Sequence, residues 1–307
     1  MFFASDNTGP THPKIVEAMV AASDGYAMPY GKDPWAARAE ALIRETFEAP
    51  DARAFMIATG TATNSLILGA LAPPWSAIFC HETAHILMDE SNAPEFFSGG
   101  ARIAPVAGDG GKMAPEALTK MLARYAPGDI HTPARGALSL TNVTEAGTVY
   151  SLAEIDTLTS LASEASLPVH LDGARFANAC AALSCSAAEM SWRRGIHALS
   201  FGGTKNGCAS VEAAVFFEPE PERIAQFERL RMRGGHLFSK HRLLSAQMAA
   251  YLEDALWLDL AQKANAAAAY LEQSLGNHVE HLHRRGANML FVRFPRALHH
   301  KLHAAGA

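Results

Sequence analysis

Short apolar runs alternate along the chain with longer segments in which apolar residues recur at helical spacing. Four of the longer segments are predicted as helices: 62–71, 115–125, 152–163 and 186–194. Seven short runs have the length and composition of strands: 53–58, 77–80, 101–106, 137–141, 167–171, 196–201 and 211–217. Strands interleaved with amphipathic helices are typical of a mostly parallel sheet that is covered on both faces. The pattern therefore predicts an α/β fold.

The pattern changes after residue 242. Residues 243–274 are alanine-rich with helical periodicity, 287–294 have the composition of a strand, and 297–303 have that of a beginning helix. We expect the last domain to be incomplete, because the chain stops within the predicted final helix. Three parts are predicted: a large domain (1–242, with an N-terminal arm over 1–30), a helical connector (243–277) and the start of a small C-terminal α+β domain (278–307).

Composition and charge exclude several classes of protein. The 307 residues are 49% hydrophobic, which is enough for a sizeable core. Lys and Arg number 26 against 31 Asp and Glu, a net charge of −5, whereas a nucleic-acid-binding protein normally has a basic footprint. No apolar run approaches the roughly 20 residues of a membrane span. The start of the chain has no secretory signal, and the four cysteines form no CxxC pair. We therefore predict a cytoplasmic protein without nucleic-acid or membrane partners.

A glycine and several hydroxyl residues follow the first predicted strand. The segment Thr59-Gly60-Thr61-Ala62-Thr63-Asn64 leads directly into an apolar helix. Glycine lets the backbone approach a ligand, and a helix N-terminus offers free N–H groups and a partial positive charge to an anion. An ordinary threonine N-cap explains the same residues equally well.

An aspartate and a lysine follow two later strands. Asp172 comes after 167–171, and Lys205 comes after 196–201 within a glycine-rich turn. In parallel sheets, ligands bind at the carboxyl ends of the strands, so these two side chains can face one pocket. Chemistry with pyridoxal 5'-phosphate (PLP) needs a lysine that forms a Schiff base and a carboxylate that keeps the pyridine nitrogen protonated. The alternatives are an Asp-Gly turn and a solvated loop lysine, although the glycines around Lys205 weaken the latter.

Seven segments occur in an order that resembles the threonine aldolase family of PLP-dependent enzymes, in particular its phenylserine aldolase and low-specificity branch. They are SDNTGPTHP, PYGKDP, TGTATN, HETAH, DIH, HLDGARFANA and FGGTKNG. The resemblance implies the aspartate aminotransferase fold (PLP fold type I) and PLP as cofactor. It also implies retro-aldol cleavage of L-threonine, L-allo-threonine or phenylserine to glycine and an aldehyde. A homodimer or homotetramer with shared active sites follows from the same resemblance.

The resemblance assigns the residues that hold the cofactor. Lys205 forms the Schiff base, and Asp172 pairs with the pyridine nitrogen. Four more residues are implied around the cofactor: Gly60, Thr61 and Thr204 at the phosphate, and His85 over the ring.

The residues that bind substrate are implied in the same way. Arg175, assisted by Ser5, binds the substrate carboxylate, for which an Arg fork has the right geometry. Tyr30 reaches the active site of a neighbouring subunit. The base that takes the hydroxyl proton is a histidine or an activated water, and the candidates are His85 and His131. The sequence does not rank these two.

Two further patterns in the sequence point to other functions. His81-Glu82-Thr83-Ala84-His85 matches the H-E-x-x-H zinc protease motif, but it follows a predicted strand and lacks a third ligand motif, so we predict no metal site. The basic segment 229–242 is open to three interpretations: a nucleic-acid patch, a solvated face, or part of a phosphate site across the dimer.

The chain departs from the family pattern at two points. Residues 142–145 (NVTE) stand where many threonine aldolases have an NTHN-like segment. A second carboxylate-binding arginine is expected beyond the strand at 287–294, and Arg293 is not an obvious substitute. Other reactions on the same fold and cofactor, β-elimination or transamination, remain as alternatives, as does a non-catalytic binding protein.

Overall fold

Seven strands form one sheet at the centre of the molecule. The structure, a computed structural model, describes residue 3 and residues 5–306. Residues 1, 2, 4 and 307, from the predicted arm and the predicted C-terminal domain, lie outside it. The strands are β1 (Arg53–Ile57), β2 (Ser76–His81), β3 (Arg102–Val106), β4 (Ala134–Thr141), β5 (Val169–Gly173), β6 (Ala198–Gly202) and β7 (Glu212–Phe216).

The strand order is β1-β7-β6-β5-β4-β2-β3. Neighbours among β6, β5, β4, β2 and β3 pair in parallel, whereas β7 pairs antiparallel with both β1 and β6. Six of the seven strands therefore end at the same edge of the sheet. The prediction of a mostly parallel α/β sheet is confirmed, and each predicted strand overlaps an observed one.

Helices cover both faces of the sheet. Alternate residues of a strand enter two separate clusters: in β2, Phe79 faces one and Ile78 the other. The helices are α1 (Pro13–Ser23), α2 (Pro34–Thr46), α3 (Gly60–Leu71), α4 (His85–Met88), α5 (Ala93–Ser98), α6 (Pro115–Arg124), α7 (Leu152–Glu164), α8 (Phe176–Leu183), α9 (Pro221–Arg233), α10 (Arg242–Leu252), α11 (Leu256–Leu275) and α12 (Arg296–Ala304).

The helix starts follow from local sequence. At α2, the Asp33 carboxylate accepts a hydrogen bond from the Ala36 N–H, and Pro34 occupies the first helical position. At α7, Ser151 and Glu154 form a reciprocal capping box. These caps satisfy N–H groups that have no partner inside the helix, so the side chains of Asp33 and Ser151 set where the two helices begin.

Three predicted elements differ from the structure. Residues 186–194 contain only a 3-10 turn, Trp192–Arg194, and Ser191 immediately before it has φ −127° and ψ −113°, which is not helical backbone. The predicted long helix after 242 is interrupted at Glu253–Ala255, where Asp254 and Ala255 take positive φ. Of 287–294, only β9 (Val292–Arg293) is a strand, and it pairs with β8 (Glu280–His281). The three-part division of the chain stays a prediction.

None of the helices in the described residues is both long and apolar enough to cross a membrane.

The strand ends at the carboxyl edge are tightly packed. Gly202 ends β6, and a Cβ at this position would overlap the backbone of Ala174, just beyond β5. Gly173 is similarly restricted: its added Cβ would lie 2.8 Å from the carbonyl oxygen of Ser200. Backbone atoms cannot move aside as flexible side chains do, so the two strand ends can approach this closely only as glycines.

We expect Gly202→Ala to lower the free energy of unfolding by about 1–3 kcal/mol, the usual cost of forcing extra volume into a packed site. Gly9→Ala is the matched control, because Gly9 has φ −66° and its added Cβ would lie 3.8 Å from the nearest atom. Urea denaturation of both variants measures the difference. Equal stability of the two would show that the approach of β6 to Ala174 does not require glycine.

Candidate active site

Asp172 lies near the end of β5, at the edge where six strands terminate. The side chain is buried, and its position pairs with Thr141 of β4 and Ser200 of β6. Its Oδ2 accepts a hydrogen bond from Nδ2 of Asn64 at 3.0 Å, and its Oδ1 accepts one from the Ala174 N–H at 3.1 Å. The carboxylate is therefore fixed in orientation by α3 and by the turn after β5.

A buried histidine supports Asp172 from two residues earlier in the same strand. Nδ1 of His170 lies 2.9 Å from Oγ of Ser139, and its Nε2 lies 3.0 Å from Oγ of Ser200. Burial lowers the pKa of His170 to about 4, against a smaller opposing effect of Asp172. A neutral imidazole thus links three strands without placing a positive charge beneath Asp172.

Lys205 lies in the 3-10 turn Thr204–Asn206, directly after β6. The turn is anchored by Asn206, whose Nδ2 donates to the Tyr251 hydroxyl at 2.7 Å and to the Trp257 carbonyl at 2.8 Å. Within the described part of the chain, the Lys205 amine has no hydrogen-bond or ion-pair partner. Its charge acts on three acids, Asp6, Glu145 and Glu212. The structure thus presents a partly buried, unbonded amine beside the strand ends.

The turn after β1 leads into the N-terminus of α3. Thr59 caps the helix by accepting from the Ala62 N–H at 3.3 Å. Among the described residues, the N–H groups of Gly60 and Thr61 have no hydrogen-bond partner, and a Cβ at Gly60 would meet open space. The Thr204 hydroxyl, in contrast, is already bonded to the Val211 N–H at 3.1 Å. The helix N-terminus is therefore the freer part of the predicted phosphate site.

His85, at the start of α4, belongs to a hydrogen-bonded chain that ends at Asp172. Its Nδ1 lies 2.8 Å from Oε1 of Glu90. Nδ2 of Asn64 donates to that same Glu90 oxygen at 2.9 Å as well as to Asp172. The hydrogen bond that His85 donates to the Glu90 carboxylate raises the pKa of His85, and burial raises the pKa of the Glu90 carboxyl.

Arg175 holds a carboxylate of its own chain. Its Nε donates to Oδ2 of Asp6 at 2.6 Å and its Nη2 donates to Oδ1 at 3.1 Å, a bidentate pair. Burial alone would raise the pKa of Asp6, but the hydrogen bond and charge of Arg175 lower it overall. The Nη1 group of Arg175 has no partner among the described residues. Next to this pair, Ser5 accepts a hydrogen bond from the Asn7 N–H at 3.2 Å.

Two predicted site residues are not brought into this group. His131 is exposed and precedes β4, so it lies at the amino edge of the sheet, opposite Asp172. The structure therefore does not place His131 near the substrate within this subunit. Tyr30 is half exposed on the loop before α2, where its N–H bonds to the Ser239 carbonyl at 3.1 Å. Its contribution to a neighbouring subunit stays a prediction.

The H-E-x-x-H motif does not form the helical pair that a zinc protease needs. His81 ends β2, and its ring nitrogens lie 2.9 Å from the Thr83 hydroxyl and 3.1 Å from the Gly108 carbonyl. His85 starts a separate helix and bonds to Glu90. In the residues that the structure describes, no cluster of three or more metal-ligating side chains is present.

Sequence reasoning missed two acids at this site. Glu90 belongs to no sequence motif. Only its contacts with His85 and Asn64 in the structure place it at the site. Glu145, on the turn after β4, has electrostatic contact with Arg175, Asp172 and His85, and burial raises its pKa. The rule that functional residues follow strands, applied to β4 as well as β5 and β6, would have found Glu145.

The basic segment 229–242 does not form one continuous surface. Arg231 is buried, and its Nη2 donates to the Met56 carbonyl at 3.2 Å and contacts Nε2 of His241 at 2.7 Å. Burial lowers the pKa of Arg231 to about 10 and that of His241 to about 3. Arg242 instead bonds to the carbonyls of Asp24 and Gly25. A uniformly solvated basic face is therefore excluded.

The residues at this edge fit PLP. A buried, oriented carboxylate suits a protonated pyridine nitrogen, and free N–H groups at a helix N-terminus suit a phosphate. The Lys205 amine lies among the strand ends without a competing partner. The donor set thus matches the cofactor on three independent chemical requirements.

Comparison with known proteins identifies the family of this chain. The family model for beta-eliminating lyases matches residues 3–295.

The chain belongs to the beta-eliminating lyase family.

This lyase is 41% identical over 270 residues to a low specificity L-threonine aldolase of Pseudomonas sp. (strain NCIMB 10558), a match that covers 88% of this chain and 76% of the relative. Its fold is similar to that of a threonine aldolase from Leishmania major, with a TM-score of 0.91 and 27% identity, covering 98% of this chain and 86% of that one. The predicted threonine aldolase resemblance is confirmed.

A more distant solved structure shows how widely the fold is shared. An N-succinyldiaminopimelate aminotransferase from Mycobacterium tuberculosis is 17% identical with a TM-score of 0.65, and the match covers 91% of this lyase and 73% of that chain. At this identity the likeness concerns the fold alone. The predicted fold type I architecture is thereby confirmed.

We expect Glu90→Gln to lower the pKa of His85, because the variant loses the negative charge that favours a protonated imidazole. NMR titration of the His85 ring measures the change. Glu82→Gln is the matched control, since Glu82 is exposed and lies three residues from His85. An unchanged pKa in a folded Glu90→Gln variant would mean that the Glu90 contact does not govern His85.

Proposed function

We propose that this lyase cleaves the Cα–Cβ bond of β-hydroxy-α-amino acids, with L-threonine, L-allo-threonine or phenylserine as substrate and glycine and an aldehyde as products. The observation that carries the proposal is the chain of hydrogen bonds from Asp172 through Asn64 and Glu90 to His85. It joins the carboxylate that serves the cofactor to a histidine that can take a proton. The identity with L-threonine aldolases supports the same reaction.

PLP is the cofactor of this reaction. When bound, it supplies a protonated pyridine ring that accepts the electron pair released as the bond breaks. Asp172 keeps the pyridine nitrogen protonated, and its orientation is already fixed by Asn64 and Ala174. Lys205 holds the cofactor through its amine, while Gly60 and Thr61 offer N–H groups to the phosphate.

His85 is the proposed base for the β-hydroxyl proton. Its Nδ1 faces Glu90, which leaves Nε2 to accept the proton. A carboxylate behind the ring fixes its orientation and stabilises the positive charge that the imidazole gains. His131 lies at the other edge of the sheet, so within one subunit His85 is the proposed base of the two histidine candidates.

Arg175 is proposed to bind the substrate carboxylate with help from Ser5. Because Asp6 occupies Nε and Nη2, the unbonded Nη1 is the part of the guanidinium that remains for the substrate. Asp6 then has a positioning role: it fixes the plane of the guanidinium before substrate arrives.

Assembly and location are also part of the proposal. We propose a homodimer or homotetramer with active sites shared between subunits, in the cytoplasm. Three exposed apolar side chains, Tyr26, Met28 and Tyr30, lie within five residues of one another on the loop between α1 and α2, and they support the contact with a second copy because exposed apolar residues grouped in one patch mark interaction surfaces.

The activity is tested by incubating the PLP-loaded protein separately with L-threonine and with phenylserine and quantifying the products. We expect glycine and the matching aldehyde in equal amounts, and none from a Lys205→Ala variant, which lacks the amine that holds the cofactor. A 2-keto acid with ammonia would instead indicate β-elimination. A keto acid formed with transfer of the amino group would indicate transamination. Either result would overturn the proposal.

We expect Arg175→Ala to raise KM about 10- to 100-fold while PLP stays bound, because a lost charge-assisted hydrogen bond costs about 1.5–3 kcal/mol. Steady-state kinetics and cofactor absorbance measure the two effects separately. Arg193→Ala is the control, since this exposed arginine pairs with Glu48 and precedes β6, at the amino edge of the sheet. Loss of PLP from Arg175→Ala would show that Arg175 serves the cofactor rather than the substrate.

A further inference from the structure

A buried acid lies beneath the turn that carries Lys205. Glu212 is the first residue of β7, and its side chain is almost completely shielded from solvent. In the sheet it pairs with Ile57 of β1 on one side and Gly202 of β6 on the other. It belongs to none of the sequence motifs, and the mechanism above does not use it.

The contacts of Glu212 are with the residues that immediately precede Lys205. Its Oε2 accepts a hydrogen bond from the Gly203 N–H at 2.9 Å, and the side chain of Thr204 lies close enough to lower the pKa of the carboxyl. Asn206 fixes the other end of the same turn through Tyr251. Lys205 therefore lies between two anchors, of which only Glu212 can change its charge near neutral pH.

Four titratable groups act on Glu212 or are affected by its charge: Lys205, Asp172, Cys208 and Tyr251. Burial raises the pKa of Glu212 to about 7, although the Thr204 side chain, the hydrogen bond from Gly203 and the charge of Lys205 act in the opposite direction. No cation in the described residues forms an ion pair with Glu212, and of these four groups only Lys205 is a cation.

We propose that Glu212 is a positioning residue that fixes the backbone ahead of Lys205 and, when ionised, favours the protonated form of the Lys205 amine. The inference rests on the role of Lys205 in the proposed function. Since only the neutral amine is a nucleophile, the charge state of Glu212 then controls how readily Lys205 attacks a carbonyl carbon.

Glu212→Gln separates charge from shape. Glutamine retains a carbonyl oxygen that can accept the Gly203 hydrogen bond, but it never carries a negative charge. Below about pH 6 the wild-type carboxyl is itself protonated, so wild type and variant are alike. Above about pH 8 only the wild type carries a negative charge at position 212, while Asp6 and Glu145 act on Lys205 in both proteins. A purely structural role would change reactivity by the same factor at every pH.

The experiment measures the reactivity of the Lys205 amine in the full chain without cofactor, by labelling with acetic anhydride and peptide mass spectrometry. The exposed Lys120 is the internal reference. We expect the ratio of Glu212→Gln to wild-type labelling at Lys205 to be near one at about pH 6 and to rise to about ten-fold at about pH 8, the size of effect that a nearby opposite charge produces.

Glu212→Asp retains the charge, so its ratio to wild type is expected to be the same at both pH values. Glu218→Gln, an exposed change just after β7, is expected to leave labelling unchanged. A pH-independent ratio in a folded Glu212→Gln variant would overturn the proposal, and so would an equal effect of Glu218→Gln.

A measurement on a Glu145→Gln variant, which removes the other buried acid that interacts with Lys205, covers the case in which Glu212→Gln does not fold. In this variant, labelling of Lys205 around pH 7 is expected to rise by less than ten-fold per pH unit, because the ionising Glu212 holds the proton on the amine. A uniform ten-fold rise through neutral pH contradicts the proposal. No amino-acid substrate is involved, so failure to form glycine from L-threonine would be a separate result that concerns the proposed function alone.

Discussion

The amide group of Asn64 donates to two buried carboxyl groups at once, and the site depends on this contact. Asp172 and Glu90 would otherwise face each other across α3 as like charges in a poorly solvated region. Nδ2 of Asn64 lies 3.0 Å from one and 2.9 Å from the other, so a single neutral donor holds both in place. The orientation of Asp172 and the orientation of His85 are thereby linked through one side chain.

Three buried acids have different proposed roles because their surroundings differ. Asp172 receives two hydrogen bonds at a strand end, whereas Glu90 receives one from Asn64 and contacts His85. Glu212 has a backbone N–H as its partner, a threonine side chain nearby and a lysine as the facing cation. The roles that we propose for these carboxyl groups, cofactor binding, support of a base and control of a nucleophile, thus follow from where each group is placed.

The sheet, and the meeting of Asp172 and Lys205 at one edge of it, could be predicted from the sequence because both follow local rules. Apolar runs set the strands, and the residues after β5 and β6 must meet at one edge. The same rule applies to residues that precede a strand. His131 precedes β4, so the order of the elements already indicates that it lies at the opposite edge of the sheet. Glu90 and Glu212 could not be found in this way, because burial of a polar group arises only when distant segments pack together.

Helix α3 has a further consequence for the cofactor. Gly60 at its first position and Asn64 one turn later serve opposite ends of the proposed PLP site, and residues 62–71 of this helix are all buried. Because one enclosed helix spans both ends, the separation between the phosphate contacts and the ring contacts is fixed before binding. Cofactor uptake then requires the ordering of PLP itself but not of the helix that receives it, which removes one entropic cost of association.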